Sequence, residues 1–289
     1  MFKIVEKKVL APSIFLMKID APRVAKSAKP GQFVIIRMDE KGERIPLTIC
    51  DYDKEAGTVT IVVQSMGCST RRMAEFNEGD YFSDFVGPLG RESEFVHESI
   101  DALKNKKILF VAGGVGTAPV YPQVKWLHEN GIDADVIIGA KNKEMMIMEE
   151  ELKSVSKNLY PATDDGSYGF KGLVTEVIKD LVVNQGKKYD EVIAIGPMIM
   201  MKFVCKVTEE LKIPTIVSMN PIMVDGTGMC GACRVTVNGE TKFACVDGPE
   251  FDGHKVDFDE AMKRQTLYKS EECKKTESYE KNCKIGGAN

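Results

Sequence analysis

Cys230 and Cys233, with two residues between them, stand in the glycine-rich stretch Asp225-Gly-Thr-Gly-Met-Cys230-Gly-Ala-Cys233, and Cys245 follows a short hairpin-like segment. Plant-type iron–sulfur sites space their cysteines C-x4-C-x2-C with a distant fourth. The same register is present here with Asp225 at the first position, and a carboxylate is a reasonable iron ligand. Soft thiolates suit iron, and Gly226, Gly228 and Gly231 let a loop wrap a cluster and aim its amides at sulfide. Met223, Val224 and Met229 are expected to shield it from water. The expected ligand set is therefore Asp225, Cys230, Cys233 and Cys245. A structural zinc is the alternative, although zinc sites usually pair two C-x2-C knuckles and only one is present. Asp225 has a second reading too, as a neighbour of a cluster whose fourth ligand is exogenous.

Two further constellations lie upstream. Arg44-Ile-Pro46-Leu47-Thr48 opens a candidate strand, and Gly67-Cys-Ser69-Thr70 precedes a candidate helix. A guanidinium pairs with a diphosphate as a planar fork, and a helix start offers amides to the same anion. Singly, each reads as a strand-start arginine or an ordinary capped helix. Together they suggest a flavin dinucleotide held at its phosphates by Arg44 and the Gly67–Thr70 turn. The second constellation is Gly113-Gly114-Val-Gly116-Thr117 directly after the apolar run Ile108–Ala112. Glycines there let backbone approach a phosphate beside a helix dipole, or simply make a tight packing turn. Asp164 can reach an adenosine ribose and so favour NAD over NADP, or belong to a solvated acidic loop. Gly196-Pro197 closes a strand where a nicotinamide can lie.

The elements that must position these groups change rhythm along the chain. Up to about Phe95, short β-branched and aromatic runs are separated by Pro and Gly, which predicts an antiparallel barrel with one inserted helix over 69–77. After a linker over 91–106, buried strands alternate with helices, which predicts a doubly wound, Rossmann-like α/β unit. The polar stretch 257–289 predicts a helix followed by a loose tail. The expected division is a barrel over 1–97, an α/β domain over 98–219, a cluster module over 220–260 and a C-terminal helix and tail over 261–289. Cys50, Cys68 and Cys205 read as buried small apolar residues. Cys273 and Cys283 fall in the tail, the three histidines show no ligand spacing, and Trp126 reads as helix packing.

Composition narrows the function classes. A net charge of −4 argues against a nucleic-acid partner, and no apolar run is long enough to span a membrane. Without an export signal, the eight cysteines are expected to stay reduced or bind metal in a cytoplasmic protein.

On these residues, residues 1–260 resemble the ferredoxin–NADP⁺ reductase-like flavoprotein superfamily. Pro46, Leu47 and Thr48 after Arg44 match its flavin motif, Gly67 and Thr70 its phosphate motif, and Gly113, Gly114, Gly116 and Thr117 its nucleotide run. Leu47 stands where the family has an aromatic residue. Within it, the chain resembles two sister groups. Dihydroorotate dehydrogenase B electron-transfer subunits carry four cysteines. The small subunits of NADH-dependent reduced ferredoxin:NADP⁺ oxidoreductases, also called sulfide dehydrogenase subunits, carry aspartate at the position of Asp225. The second resemblance implies FAD, NAD(H) and a [2Fe-2S] cluster, with hydride passing from NADH to flavin and single electrons passing to the cluster. It also implies a heterodimer with a larger subunit holding FAD and [4Fe-4S] clusters, which bifurcates electrons to ferredoxin. No acid–base dyad is expected, because hydride transfer needs alignment alone. The alternatives are a dihydroorotate-linked or a sulfide- or polysulfide-linked subunit.

Overall fold

A computed structural model of the chain describes the backbone of residues 1–286 and the side chains of residues 1–279. The N-terminal part contains β1 (Phe2–Ala11), β2 (Ile14–Asp20), α1 (Pro22–Ser27), β3 (Phe33–Arg37), β4 (Ile45–Asp53), β5 (Thr58–Gln64), α2 (Cys68–Met73), β6 (Tyr81–Phe82) and β7 (Asp84–Leu89). The strands pair antiparallel in the order β6-β1-β2-β5-β4-β3-β7. β6 and β7 are opposite edges of this sheet, yet only Ser83 separates them in sequence. The sheet must therefore curl until its edges meet, forming a near-closed barrel that leaves little open edge. Alternate residues such as Phe15, Met17 and Ile19 point inward, where they meet Val34, Ile36, Val59, Ile61 and Phe82.

Two helices rather than one interrupt the barrel. α1 is short, opens on Pro22 and buries Val24 and Ala25. Proline suits a first helical turn, but six residues are too few to display a periodicity. The expected helix over 69–77 is shorter than its sequence suggested, ending at Met73.

The middle of the chain contains α3 (Ile100–Lys104), β8 (Ile108–Gly113), α4 (Thr117–Glu129), β9 (Ala134–Ala140), α5 (Glu149–Val155), β10 (Asn158–Thr163), β11 (Phe170–Lys171), α6 (Val174–Lys179), β12 (Glu191–Ile195), α7 (Met198–Glu210) and β13 (Thr215–Ser218). The stretch expected to be a linker thus holds α3. After β13 come β14 (Arg234–Val237), β15 (Glu240–Phe243), β16 (Glu250–Asp252), α8 (Phe258–Gln265) and α9 (Lys269–Gly286). The second sheet runs β11-β10-β9-β8-β12-β13-β16, and all its neighbours are parallel except β16, which pairs antiparallel with β13. β8 is buried along its whole length, as expected of a strand covered on both faces.

The expected loose tail is corrected to a second helix. Lys and Glu are good helix formers, and α9 turns back toward the barrel, where Lys275 pairs with Glu43. The Cys283 side chain lies outside the described residues.

Candidate functional site

A two-residue turn builds the sulfur pair. Asn238 and Gly239 both have positive φ, +52° and +78°, which is the backbone of a tight hairpin turn. They fold β14 onto β15 with Arg234 opposite Phe243. Cys233 immediately precedes β14, and Cys245 follows β15 by one residue. Closing the hairpin therefore brings them together, with the Ala244 N–H donating to the Cys233 carbonyl at 3.1 Å. Their Sγ atoms lie 3.2 Å apart, and both residues are buried. Burial, with the neighbouring Cys233, pushes the Cys245 thiol up to about 12. Two buried thiols this close ionise readily only when a metal supplies the opposing charge.

The preceding loop gathers the other pair. The Asp225 carboxylate accepts N–H groups from Thr227 (3.0 Å), Met229 (3.1 Å) and Cys230 (2.9 Å). The Thr227 amide, followed by the Cys230 amide and thiol, holds this carboxyl below the usual carboxylate range. Cys230 is exposed, and the Ala232 N–H points at its sulfur at 3.5 Å. The Gly228 amide works against the rise at Cys245, favouring the charged form of its thiol. Among the described residues, no three His, Cys, Asp or Glu side chains converge on one point. The four expected ligands stand as two pairs, Asp225 with Cys230 and Cys233 with Cys245. The expected apolar shield is only partly present. Met223 is buried, but Val224 is 47% and Met229 87% exposed.

The loop is seated on the barrel. Gly226 has φ +76°, and a Cβ there would lie 2.9 Å from both Ile35 and Leu89 side-chain atoms. Phe33 and Ile35 share one hydrophobic cluster with Met223, Cys233 and Cys245. In the register of β3 and β4, Phe33 faces Thr48, Val34 faces Leu47 and Ile35 faces Pro46. Arg44, expected on a diphosphate, donates to the Val224 carbonyl at 3.0 Å and the Asp225 carbonyl at 3.2 Å.

In the other barrel motif, Thr70 Oγ1 accepts the N–H groups of Met66 (2.9 Å) and Gly67 (3.1 Å). Ser69 donates its hydroxyl to Glu43 at 2.5 Å, so this side chain is turned to a carboxylate. A Cβ on Gly67 would meet nothing within 4 Å, which leaves the turn open to a ligand.

The nucleotide motif sits where the sheet changes direction. β9 and β12 flank β8 on opposite sides, and the crevice beyond the carboxyl ends at such a point is where doubly wound sheets bind ligands. Gly113–Gly116 end β8, while Gly196-Pro197 end β12 beside them. Much of the glycine content is required by packing. A Cβ on Gly116 would come 2.3 Å from the Ile195 carbonyl oxygen, and one on Gly113 2.3 Å from Met200 Sδ. Gly114 differs, with φ +56° and open space around it. Thr117 is buried and donates to the Gly114 carbonyl at 2.8 Å. Asp164 is exposed just past β10, its N–H given to Ala140 at 3.1 Å. A cavity of about 540 Å³ opens at the opposite end of this sheet, lined by Glu191 and Thr215 at the starts of β12 and β13.

A near-closed antiparallel barrel, a parallel nucleotide-binding sheet and a cysteine-bearing hairpin define the electron-transfer subunit of an oxidoreductase complex. The chain belongs to the family of dihydroorotate dehydrogenase B electron-transfer subunits and their homologues. The family model "Iron-sulfur cluster binding domain of dihydroorotate dehydrogenase B" matches residues 220–257, and the "Oxidoreductase NAD-binding domain" matches residues 110–206. A Thermotoga maritima dihydroorotate dehydrogenase B electron-transfer subunit homologue is 47% identical, covering 99% of this chain and 96% of its own. An uncharacterized protein from the adh 3′ region of Clostridium beijerinckii is 68% identical, over 95% of this chain and 93% of its own. A structure of NADH-dependent reduced ferredoxin-NADP oxidoreductase, described in terms of flavin-based electron bifurcation, aligns with a TM-score of 0.88 and 46% identity, covering 96% of this chain and 98% of that one. The chain therefore carries an NAD-binding domain and an iron–sulfur cluster-binding domain within a multi-subunit electron-transfer assembly. Among the described residues no helix is long and apolar enough to cross a membrane.

Proposed function

We propose that this chain carries electrons between NAD(H), a bound FAD and a [2Fe-2S] cluster, as the small subunit of a bifurcating NADH/NADPH/ferredoxin oxidoreductase. Bound FAD supplies the exchange between two-electron hydride chemistry and one-electron transfer. The observation that carries this reading is the position of β3. Its residues Phe33 and Ile35 pack with Cys233 and Cys245, while the same residues pair in register with Thr48 and Pro46 of the flavin motif. One strand thus separates the expected flavin contact from the sulfur pair.

Pro46, Leu47 and Thr48 would line the flavin ring, and the first-turn amides of the Gly67–Thr70 turn, open at Gly67, would hold the phosphates. Gly114, Thr117, Asp164, Gly196 and Pro197 would cradle the nicotinamide nucleotide at the end of β8 and β12. A two-iron cluster takes protein ligands at each iron, which suits Asp225 with Cys230 at one and Cys233 with Cys245 at the other. The bonds to Thr227, Met229 and Cys230 keep the Asp225 carboxylate ionised and oriented, while the Gly228 amide stabilises negative charge on Cys245. The partner is a larger subunit with its own FAD and [4Fe-4S] clusters, through which ferredoxin is served.

A second reading, the dihydroorotate-linked subunit, is favoured by the family model over 220–257 and opposed by Asp225 in place of a cysteine. The test is anaerobic purification of the native complex, with iron, flavin and visible spectra, followed by mixing with NADH, NADPH plus oxidised ferredoxin, or dihydroorotate. Ferredoxin reduction coupled to NADPH oxidation with electron delivery to NAD⁺ is expected. Dihydroorotate-dependent reduction of NAD⁺ would transfer the chain to the second reading, and a colourless preparation containing one zinc would sink both.

A further inference from the structure

Three arginines from three separate elements each donate to a backbone carbonyl at or beside a proposed cluster ligand. Arg44, at the entry to β4, bonds the carbonyls of Val224 and Asp225 at 3.0 and 3.2 Å. Arg91, two residues beyond β7, bonds the carbonyl of Val246, the residue after Cys245, at 3.2 Å. Arg264, on α8, bonds the carbonyl of Ala232, the residue before Cys233, at 3.2 Å. Among the described residues, the hydrogen bonds of the three guanidinium groups go to main-chain carbonyls and not to carboxylates. Each spends part of its donor fork on main chain instead. A carbonyl does not neutralise a guanidinium, so three positive charges remain around the loop.

We propose that Arg44, Arg91 and Arg264 form a cationic frame that positions the ligand-bearing backbone segments and raises the reduction potential of the cluster they surround. The inference rests on the cluster assignment above. A cluster with three thiolates and one carboxylate carries net negative charge that grows by one on reduction, and net charge and exposure set its potential. Fixed positive charge nearby favours the reduced form. The interaction is stronger for Arg44 and Arg264, which are partly buried, than for exposed Arg91, where solvent and salt screen it. The frame also joins three parts of the chain to one loop. Arg44 and Arg91 come from the barrel side, while Arg264 comes from α8, beyond the cysteine hairpin. These are positioning residues, since none touches the reacting atoms.

The test is redox titration of the cluster, followed by EPR in the intact complex, for Arg44→Gln, Arg91→Gln and Arg264→Gln, each beside its lysine counterpart. The glutamine variants of Arg44 and Arg264 should lower the flavin-to-cluster equilibrium constant about tenfold each, about 59 mV for a one-electron couple. Arg91→Gln should give a smaller fall that vanishes at high salt. Lysine keeps the charge and should restore most of the potential. Should a glutamine variant lose its iron, a lysine variant with full iron and near wild-type potential still supports the frame. A lysine variant that also loses iron, or glutamine variants with full iron and unchanged potentials, would overturn it. Loss of FAD from Arg44→Gln with an unaltered cluster potential would return Arg44 to a diphosphate and equally overturn it. Absence of iron from the wild-type complex would remove the cluster reading itself, a result distinct from all of these.

Discussion

Gln123 donates its side-chain amide to Glu250 Oε1 at 2.8 Å, joining α4 of the nucleotide domain to β16 at the end of the cluster module. The same oxygen accepts the Ser93 hydroxyl at 2.9 Å, so three segments of the chain meet on one carboxylate. Burial raises this carboxyl from 4.5 to about 7, against the lowering effect of its two hydrogen bonds, and Glu191 and Glu94 add repulsion. A carboxyl with a raised folded pKa makes the folded state bind more protons than the unfolded chain. Its contribution is fully present below about 4.5 and is lost as pH rises through about 7. Stability should fall over that window by at most about 3 kcal/mol. Thermal melts of wild type and Glu250→Gln from pH 4.5 to 8 check this, and the variant should lack the decline.

Asp225 tests the ligand set. Asp225→Cys should retain a [2Fe-2S] cluster whose potential differs from wild type, because ligand type and charge set it. An unchanged potential would confine the carboxylate to the amides of Thr227, Met229 and Cys230. Cys230→Ala should lose the cluster, and an intact EPR signal in that variant would reject the loop assignment.

Gly116 and Gly114 separate packing from ligand approach. Gly116→Ala drives a Cβ to 2.3 Å from the Ile195 carbonyl, so β8 and β12 must part at their ends. Overpacking of this kind costs about 1–3 kcal/mol, and the melting temperature should drop. Gly114→Ala has open space but a left-handed backbone, a strain of about 1–2 kcal/mol. Its larger effect should be on nucleotide binding, read as a raised KM for NADH.

Much of this was legible in residue order. The C-x2-C pair, the distant Cys245 and the aspartate at the first position located the loop, β-branched and aromatic runs broken by Pro and Gly located the barrel, and apolar strands alternating with helices located the second sheet. The joining of Cys233 to Cys245 needed only the turn residues Asn238 and Gly239. Other features left no such trace. Arg44 lies next to a flavin motif in sequence, and nothing in its neighbours indicates that its guanidinium reaches carbonyls 180 residues away. Contacts from Arg91 and Arg264 to backbone are equally silent, because any residue supplies a carbonyl. Glycine likewise has one letter for two purposes. Gly116 is fixed by the end of β12 and Gly113 by Met200 of α7 beside Pro197, whereas Gly114 is fixed by its own φ. α1 and α9 were missed because the first is too short for periodicity and the second is polar on all sides.

β16 is the one antiparallel strand of the nucleotide sheet, yet it comes from beyond the cysteine hairpin. The hairpin is thus stitched to β13 at one end, while Gly226 presses on Ile35 and Leu89 of the barrel at the other. A motion of the barrel relative to the nucleotide sheet would have to tear β16 from β13 or lift Gly226 from the barrel wall, and would also part Lys125 of α4 from Asp51 of β4. The iron–sulfur segment therefore acts as a mechanical brace, tied to the nucleotide sheet at one end and seated on the barrel at the other.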